Sequence, residues 1–543
     1  MKLGEERYRG IFVALVAILV YANAVANGFV LDDGGVLRGN PLVERADGIW
    51  RAFAHSYWPE PLPGGQYRPL GIASFALDWA LTGGDPGWMH AVNILWHAAA
   101  SVMVWLLAVR LLSPMGALPA ALAFAVHPVH VEAVANVVGR LEPMAATFAI
   151  GALIAHRRRS WWAPPLFALG LLSKESAIVF VGLAVASDLL LPRAKEPNEE
   201  NERRESEVAP TALRSQRVRL YLAYAAIIVV YAIVLAVIFR GRGFSIVAPT
   251  WIGTSTAERL LTVATIVPNY VRLLLFPLDL SADYYPQVIP LVSGVTPAAL
   301  LGLALALVLG EVVRRAWRSA PELAFSLLWV PIVLAPVSNV FFPSGVSLAE
   351  RTLYLPSVGA CLALGWAMQH AAARARRPAL ALAAVALLLG VARTWARTPV
   401  WYDDKRYILT LLHDHPESYR AHLVAGRVLA AMRNWDGAGR EYAIARHLFP
   451  RDPSAFYEGA AVAAQAADLP RADALLDSAA ATAPRSVAVH LAQADVRMRR
   501  RDFPGAIAAA RRALVIAPDS ARATRIIHLA AGSLHDSASG NRR

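Results

Sequence analysis

Two adjacent carboxylates, Asp32 and Asp33, stand in the stretch GFVLDDGGVLRGNP (28–41), where a long apolar run gives out. A carboxylate placed there can take a proton from an incoming hydroxyl. Further polar residues come in short sets, each at the edge of another apolar run. YRPLG (67–71) brings Arg68, and HAVNILWH (90–97) brings His90, Asn93 and His97 on one helical face. HPVHVEAVANVVGR (127–140) brings His127, His130, Glu132 and Arg140. LLSKES (171–176) adds Lys174 and Glu175, and LAERTLYLPS (348–357) adds Glu350 and Arg351. Guanidinium and ammonium groups hold a departing phosphate. A base and cations at the boundary of bilayer and water are the equipment for moving a group from a lipid-borne phosphate to a hydroxyl in water. Each set also has a blander reading. Asp32-Asp33 can be a solvated loop, His90, Asn93 and His97 interhelical hydrogen-bond partners, and Arg140 and Lys174 snorkelling cations. The HPVH pair is weak as a zinc site.

These residues need elements to position them. The chain has 543 residues, 56% hydrophobic and only 17% charged. Apolar runs of bilayer-spanning length recur through the first 395 residues. They predict a polytopic helical membrane protein with about eleven spans, at 11–29, 89–111, 115–132, 141–156, 161–173, 176–191, 220–239, 296–313, 321–341, 351–371 and 378–395. The first span is read as uncleaved despite ANA at 22–24. Lys/Arg clusters fall in the loops at 156–160, 192–219, 314–319 and 373–378. By the positive-inside rule these loops and the N-terminus are cytoplasmic, and the first long loop, 30–88, faces outside. Residues 259–277 contain Pro268 and Arg272 and are read as an interfacial helix, because a twelfth crossing would break that alternation. The net charge of +13 sits largely in those short loops, which favours a topology signal over nucleic-acid binding. The single cysteine, Cys361, lies in an apolar run and forms no intramolecular disulfide.

After residue 398 the chain turns polar and rich in Ala and Arg. Prolines at 416, 450, 484 and 518 are 34 residues apart, the tetratricopeptide (TPR) period. Small residues keep the same register at Gly426, Ala460 and Ala494, at Ala438, Ala472 and Ala506, and at Ala445, Ala479 and Ala513. The expected fold is therefore all-α: a membrane domain at 1–398, then a TPR solenoid at 399–543. The repeats run at about 419–452, 453–486 and 487–520, with a capping helix after them.

The ordered series DDGGVLRGNPLV, YRPL, GWMHAVNILWH, HPVHVEAVANVVGR, LLSKESAIVF, RLLTVATIVPNYVRLLLFPLDLSADY and AERTLYLPSVG, followed by TPRs, resembles the transmembrane-and-TPR-containing O-mannosyltransferases. These belong to the GT-C superfamily of polytopic glycosyltransferases. The resemblance covers about residues 10–520. It implies a GT-C-type membrane domain, an acidic motif required for activity at Asp32 and Asp33, and a lipid-phosphate sugar donor with inversion at the sugar. It also implies Ser/Thr hydroxyls of extracytoplasmic proteins as acceptors, held by the TPR groove. Which of the two is the base stays open, with Asp32 preferred. Arg140 matches the basic position of the family's GR motif and Arg351 that of ERTLYLPS, and both are phosphate contacts on that basis, with Lys174 and Arg68 beside them. The chain departs from the family in Pro143, in having three TPRs, and in the charged loop at 192–219. Composition suggests a bacterium, hence a polyprenyl-phosphate donor in the inner membrane, an extracytoplasmic TPR domain, and a sugar that is mannose or another hexose. No cofactor is required by the sequence, and a divalent metal (Mg or Mn) at the acidic loop stays open. Two other functions stay open: transfer to a glycolipid or envelope glycan, and a non-enzymatic membrane-anchored TPR scaffold.

Overall fold

The computed structural model describes residues 3–59, 65–191, 209–240, 247–284 and 287–540. Most of the expected charged loop at 192–219 lies outside the described residues. Among the described residues the chain is all-α, with twenty-four α-helices, short 3-10 turns and no strand. It divides into two compact units. The first takes in Met1–Val247, Thr256–Ala282 and Val292–Tyr407, the second Ala248–Ser255, Asp283–Leu291 and Ile408–Arg543. Near the expected boundary the division falls between Tyr407 and Ile408, and Thr398, Tyr402 and Asp404 bond to Asn27, Gly28 and Leu31.

In the first unit the helices are α1 Leu3–Val20, α2 Asp32–Leu37, α3 Gly48–Arg51, α4 Pro69–Thr82, α5 Pro86–Leu111, α6 Pro114–Ala125, α7 Val131–Ala135 and α8 Leu141–Arg157. They continue with α9 Ala163–Ser173, α10 Phe180–Leu190, α11 Ala209–Phe239, α12 Thr256–Leu275, α13 Pro297–Ser319, α14 Pro321–Leu334, α15 Pro356–Arg374 and α16 Arg376–Arg397. Proline opens α4, α5, α6, α13, α14 and α15. Its missing N–H is one that a first turn leaves unpaired in any case, and its fixed φ suits the helix. Asp85 and Thr296 add side-chain caps, accepting from the Trp88 and Ala299 N–H groups at 2.7 and 3.2 Å.

Among the described residues six helices are long and apolar enough to cross a membrane: Gly4–Ala26, Pro86–Leu111, Val137–Arg157, Gln216–Phe239, Pro297–Ser319 and Arg376–Trp401. A seventh crossing is available if Pro114–Ala125 and Pro128–Ala135, bent by 40° at His127-Pro128, count as one broken span. The chain is a multi-span membrane protein, but eleven spans are not reached by length and composition. The expected spans at 161–173 and 176–191 form α-helices of only 11 residues each, about 16 Å at 1.5 Å per residue. Polar residues at Ser173, Lys174 and Glu175 break the apolar run between them. α12 is not among the six. Its Arg259 is buried and donates to the Asn339 and Val340 carbonyls at 2.6 and 3.0 Å, and its Arg272 donates to the Asp279 carbonyl at 2.6 Å.

Small residues set how close these helices come. A side chain at Gly116 of α6 would meet the Gly365 carbonyl of α15 at 2.6 Å, and one at Gly365 would meet the Gly116 carbonyl at 2.5 Å. With lipid tails as apolar as leucine, such backbone approach is what membrane helices gain from packing.

Over one end of this bundle the first long loop folds into a shelf. Its core joins Val36, Leu37, Leu42, Val43 and Ala52 of the loop to Ile72 and Phe75 of α4, Met89 of α5, and Val137 and Leu141. The acidic stretch thus rests on rigid helices.

The second unit is built from paired helices: α18 Tyr419–Ala431 with α19 Trp435–Leu448, α20 Ser454–Gln465 with α21 Leu469–Thr482, and α22 Val487–Arg499 with α23 Phe503–Ile516. α24, Ala521–Gly540, follows, and α17, Asp404–Asp414, contributes its residues from Ile408 onward to this unit. Each pair turns on a residue of positive φ at the same register: Arg433 (58°), Ala467 (62°) and Arg501 (62°). The next residue but one begins a helix whose first turn is capped by Asn434, Asp468 or Asp502. Gly426 lets α18 close on α19, since a side chain there would meet the Tyr442 ring at 2.7 Å. The loop segment 283–291 belongs to this unit: Ser418 donates to Asp283, and Gln287 donates to the Leu448 carbonyl at 2.7 Å.

Candidate active site

The two adjacent aspartates have opposite fates. Asp33 is fully buried. Its Oδ2 accepts the Val30 N–H at 3.0 Å and the Val137 N–H at 3.4 Å, while Oδ1 accepts the Val138 N–H at 2.8 Å. It ties the loop to the turn that leads into α8. Burial pushes its carboxyl up to about 7 against the pull of those three N–H groups, and the neighbouring Asp32 charge adds to the rise. Asp32 is exposed. Leu31, just before it, has φ 51° and ψ −111°, a backbone state that costs a branched residue on the order of 1–3 kcal/mol.

Beside the pair lies a row of ions. Arg68 forms a two-pronged bridge to Glu175, Nε to Oε2 at 2.8 Å and Nη2 to Oε1 at 2.5 Å. Its guanidinium also lies 5.1 Å from the centre of the Tyr57 ring. Tyr57 in turn packs in one core with Val36 and Leu37 of the same short helix as the acidic pair, which places the pair and this bridge in one neighbourhood. Burial would raise the Glu175 carboxyl, but the Arg68 charge and hydrogen bonds outweigh it and hold it well below the usual carboxylate range. Next to them Lys174 pairs with Glu142. The Arg68 side chain is 11% exposed and that of Glu175 47%, so the bridge opens toward solvent on its carboxylate side.

Arg140 takes a different setting from the other cations expected at a phosphate. It is completely buried and pairs with Asp78 of α4. It also donates to Asn93 Oδ1 at 2.7 Å, Ser74 Oγ at 2.8 Å and the Met89 carbonyl at 2.8 Å. A buried charge left alone costs about 3–5 kcal/mol, so Arg140 and Asp78 act as one structural clamp between α4, α5 and α8, with four of the five guanidinium N–H groups given to protein partners. Asn93 completes the clamp, donating to the Asn136 carbonyl at 2.8 Å and the Val137 carbonyl at 3.1 Å. His90 bonds through Nε2 to the Gly28 carbonyl at 3.1 Å and so supports the acidic loop from below.

The remaining candidates form a second set. Arg351 pairs with Glu132, whose other oxygen accepts the Arg351 N–H at 2.8 Å. Glu350 accepts the Ser281 N–H at 2.6 Å. His130 bonds to Ser357 Oγ at 2.7 Å, His97 to the Tyr354 hydroxyl at 2.7 Å and the Ala125 carbonyl at 3.0 Å, and His127 to the Leu274 carbonyl at 3.1 Å. These rings are buried: His97 and His130 pack against Phe124 and Tyr354, and His127 packs against His130. They join the broken α6–α7 span to the start of α15.

All four cations singled out from the sequence are therefore paired with a carboxylate: Arg68 with Glu175, Arg140 with Asp78, Lys174 with Glu142 and Arg351 with Glu132. Two of those carboxylates, Asp78 and Glu142, were missed. Asp78 was visible as a charge inside the apolar run GIASFALDWALT, and Glu142 as the residue two beyond Arg140. Among the described residues no group of three or more His, Cys, Asp or Glu side chains is arranged to hold a metal ion.

Fold and site together define a polytopic helical membrane protein with an acidic first loop and a C-terminal solenoid of TPR type. Similarity to known proteins falls within that class. The family described as dolichyl-phosphate-mannose-protein mannosyltransferase matches residues 69–197. The chain is 27% identical over 426 residues to protein O-mannosyl-transferase F38B6.6 of Caenorhabditis elegans, covering 76% of this chain and 59% of that protein. It is 26% identical over 477 residues to the human protein O-mannosyl-transferase TMTC3, covering 80% and 51%, and 27% identical over 488 residues to human TMTC4, covering 79% and 65%. The resemblance to the transmembrane-and-TPR-containing O-mannosyltransferases is thus borne out over most of the chain, which spans about half to two-thirds of the length of these relatives.

Proposed function

We propose that this protein is an integral-membrane glycosyltransferase that moves a sugar, mannose or another hexose, from a polyprenyl-phosphate donor to a Ser/Thr hydroxyl of an extracytoplasmic protein. The observation that carries the reading is the split between the two aspartates: one anchors the loop, and the other stands exposed on a rigid shelf beside ion pairs. In this mechanism Asp32 takes the proton of the acceptor hydroxyl. The hydroxyl oxygen attacks the anomeric carbon from the face opposite the phosphate, a C–O bond forms, and the bond to the phosphate oxygen breaks with its electron pair. The sugar inverts and polyprenyl phosphate leaves. Arg68 and Lys174 neutralise that phosphate, which displaces the half-exposed Glu175 from Arg68. Arg140 and Asp78 hold the shelf in place, and Arg351 with Glu132 braces α15.

The loop charges support a cytoplasmic N-terminus, with the acidic loop and the TPR unit on the outer face of a bacterial inner membrane. The TPR stack binds the acceptor protein. The name protein O-mannosyl-transferase carried by the relatives supports the reaction class. The test is transfer from a synthetic polyprenyl-phosphate hexose to acceptor protein by purified full-length chain. Asp32→Asn is expected to lower kcat by at least 100-fold with the donor KM little changed. Full transfer by that variant would sink the assignment.

A further inference from the structure

The end of the last long apolar helix and the residues just after it lie against residues 27–31 at three points. Asn27 Nδ2 donates to the Thr398 carbonyl at 3.3 Å, the Gly28 N–H to the Tyr402 carbonyl at 2.8 Å, and the Leu31 N–H to Asp404 Oδ1 at 2.9 Å. The approach is close, since a side chain at position 28 would meet the Tyr402 carbonyl at 3.2 Å. The chain then passes through Leu31 at φ 51° and emerges as Asp32. On the far side of this bend Asp33 holds the Val30 N–H. Asp403 and Asp404 are thus a second acidic pair with divided roles. Asp403 accepts the Arg406 N–H at 2.7 Å, as a helix-starting residue does. Asp404 reaches instead across 373 residues of sequence to the one amide that sits in the strained turn.

We propose that Asp404 is a positioning residue for the acidic loop. Its bond to the Leu31 N–H holds the left-handed bend and so fixes where the Asp32 carboxylate points. A left-handed bend at a leucine persists only where surrounding contacts over-determine it, and Asp404 supplies the contact at that residue's own amide. Losing it lets the turn relax and moves the base, an effect expected on the chemical step more than on donor binding. The proposal rests on Asp32 being the base, and the experiment separates the two.

Full-length Asp404→Ala and Asp404→Asn proteins are compared with the unchanged chain by amide hydrogen exchange and by steady-state transfer. Asp404→Ala is expected to raise exchange in the peptide spanning 28–36 at least tenfold, with peptides of α5 and α8 unchanged. Its kcat should fall about tenfold with the donor KM within twofold. Asp404→Asn keeps an acceptor oxygen and is expected to restore both. Unchanged exchange in Asp404→Ala overturns the proposal whatever Asp32 does. Raised exchange with full kcat overturns it as well, and Asp32→Asn in the same assay then locates the fault. A variant at Asp32 that still transfers sinks the base assignment, and an inactive one leaves that assignment standing.

Discussion

A carboxylate serves as a base only if its lone pairs are free. Asp33 is buried with both oxygens held by backbone N–H groups, and Asp32 is the exposed member of the pair. Asp33 carries a testable pH signature. Its pKa is about 7 in the folded chain against an ordinary value of 3.8, so between those values the folded state holds the proton more tightly than the unfolded one. Its contribution to stability is fully present below about pH 4 and is lost as the pH rises through about 7. The stability difference between the unchanged protein and Asp33→Asn, followed by thermal unfolding in detergent, should therefore shrink from pH 4 to pH 7. A second residue-scale expectation concerns Glu175. If the donor phosphate competes with it for Arg68, Glu175→Gln should lower the donor KM by roughly three- to tenfold with little change in kcat. A raised KM would mean that Glu175 holds Arg68 in place for the phosphate.

At the scale of elements, backbone approach and turn geometry decide what is tolerated. The crossing of α6 and α15 has no room for a side chain at Gly365, which lies 2.5 Å from a backbone oxygen once a Cβ is added. Gly365→Leu should separate the two helices and lower thermal stability by several kcal/mol, of the order seen for overpacked cores or more. The solenoid offers the opposite change. Ala467 occupies a left-handed turn at φ 62°, where glycine carries no Cβ penalty. Ala467→Gly should stabilise the repeats by about 1 kcal/mol, read from chemical denaturation of the solenoid signal. The 34-residue period was legible because it is a property of the local chain: prolines, small residues and left-handed turns recur at one register. The span count was less legible. Apolar runs at 161–173 and 176–191 looked like full crossings, yet polar residues and a break between α9 and α10 leave two short helices.

For the whole molecule, the proposed division of labour is chemistry in the membrane unit and acceptor binding in the solenoid. A chain ending at Asp414 retains Tyr402 and Asp404, the residues that hold the acidic loop. It should keep transfer to a short Ser/Thr peptide within a fewfold and lose most transfer to full acceptor proteins, seen as a rise in acceptor KM. Equal losses for both acceptors would argue that the solenoid supports the membrane unit's fold. Equal retention for both would favour a glycolipid or envelope glycan as the acceptor.

The sequence by itself determined the helical class, the membrane character, the repeat register and the places where polar chemistry breaks into apolar runs. Each of these follows from periodicity or composition within a few turns of chain. Only the tertiary structure decided partners. Arg351 meets Glu132 across 219 residues and Arg140 meets Asp78 across 62, and no spacing rule says which of several cations pairs with which carboxylate. Nor could the sequence tell Asp32 from Asp33: the two are chemically identical neighbours. Packing buries one against backbone N–H groups and leaves the other exposed, because successive side chains on a one-and-a-half-turn helix point about 100° apart.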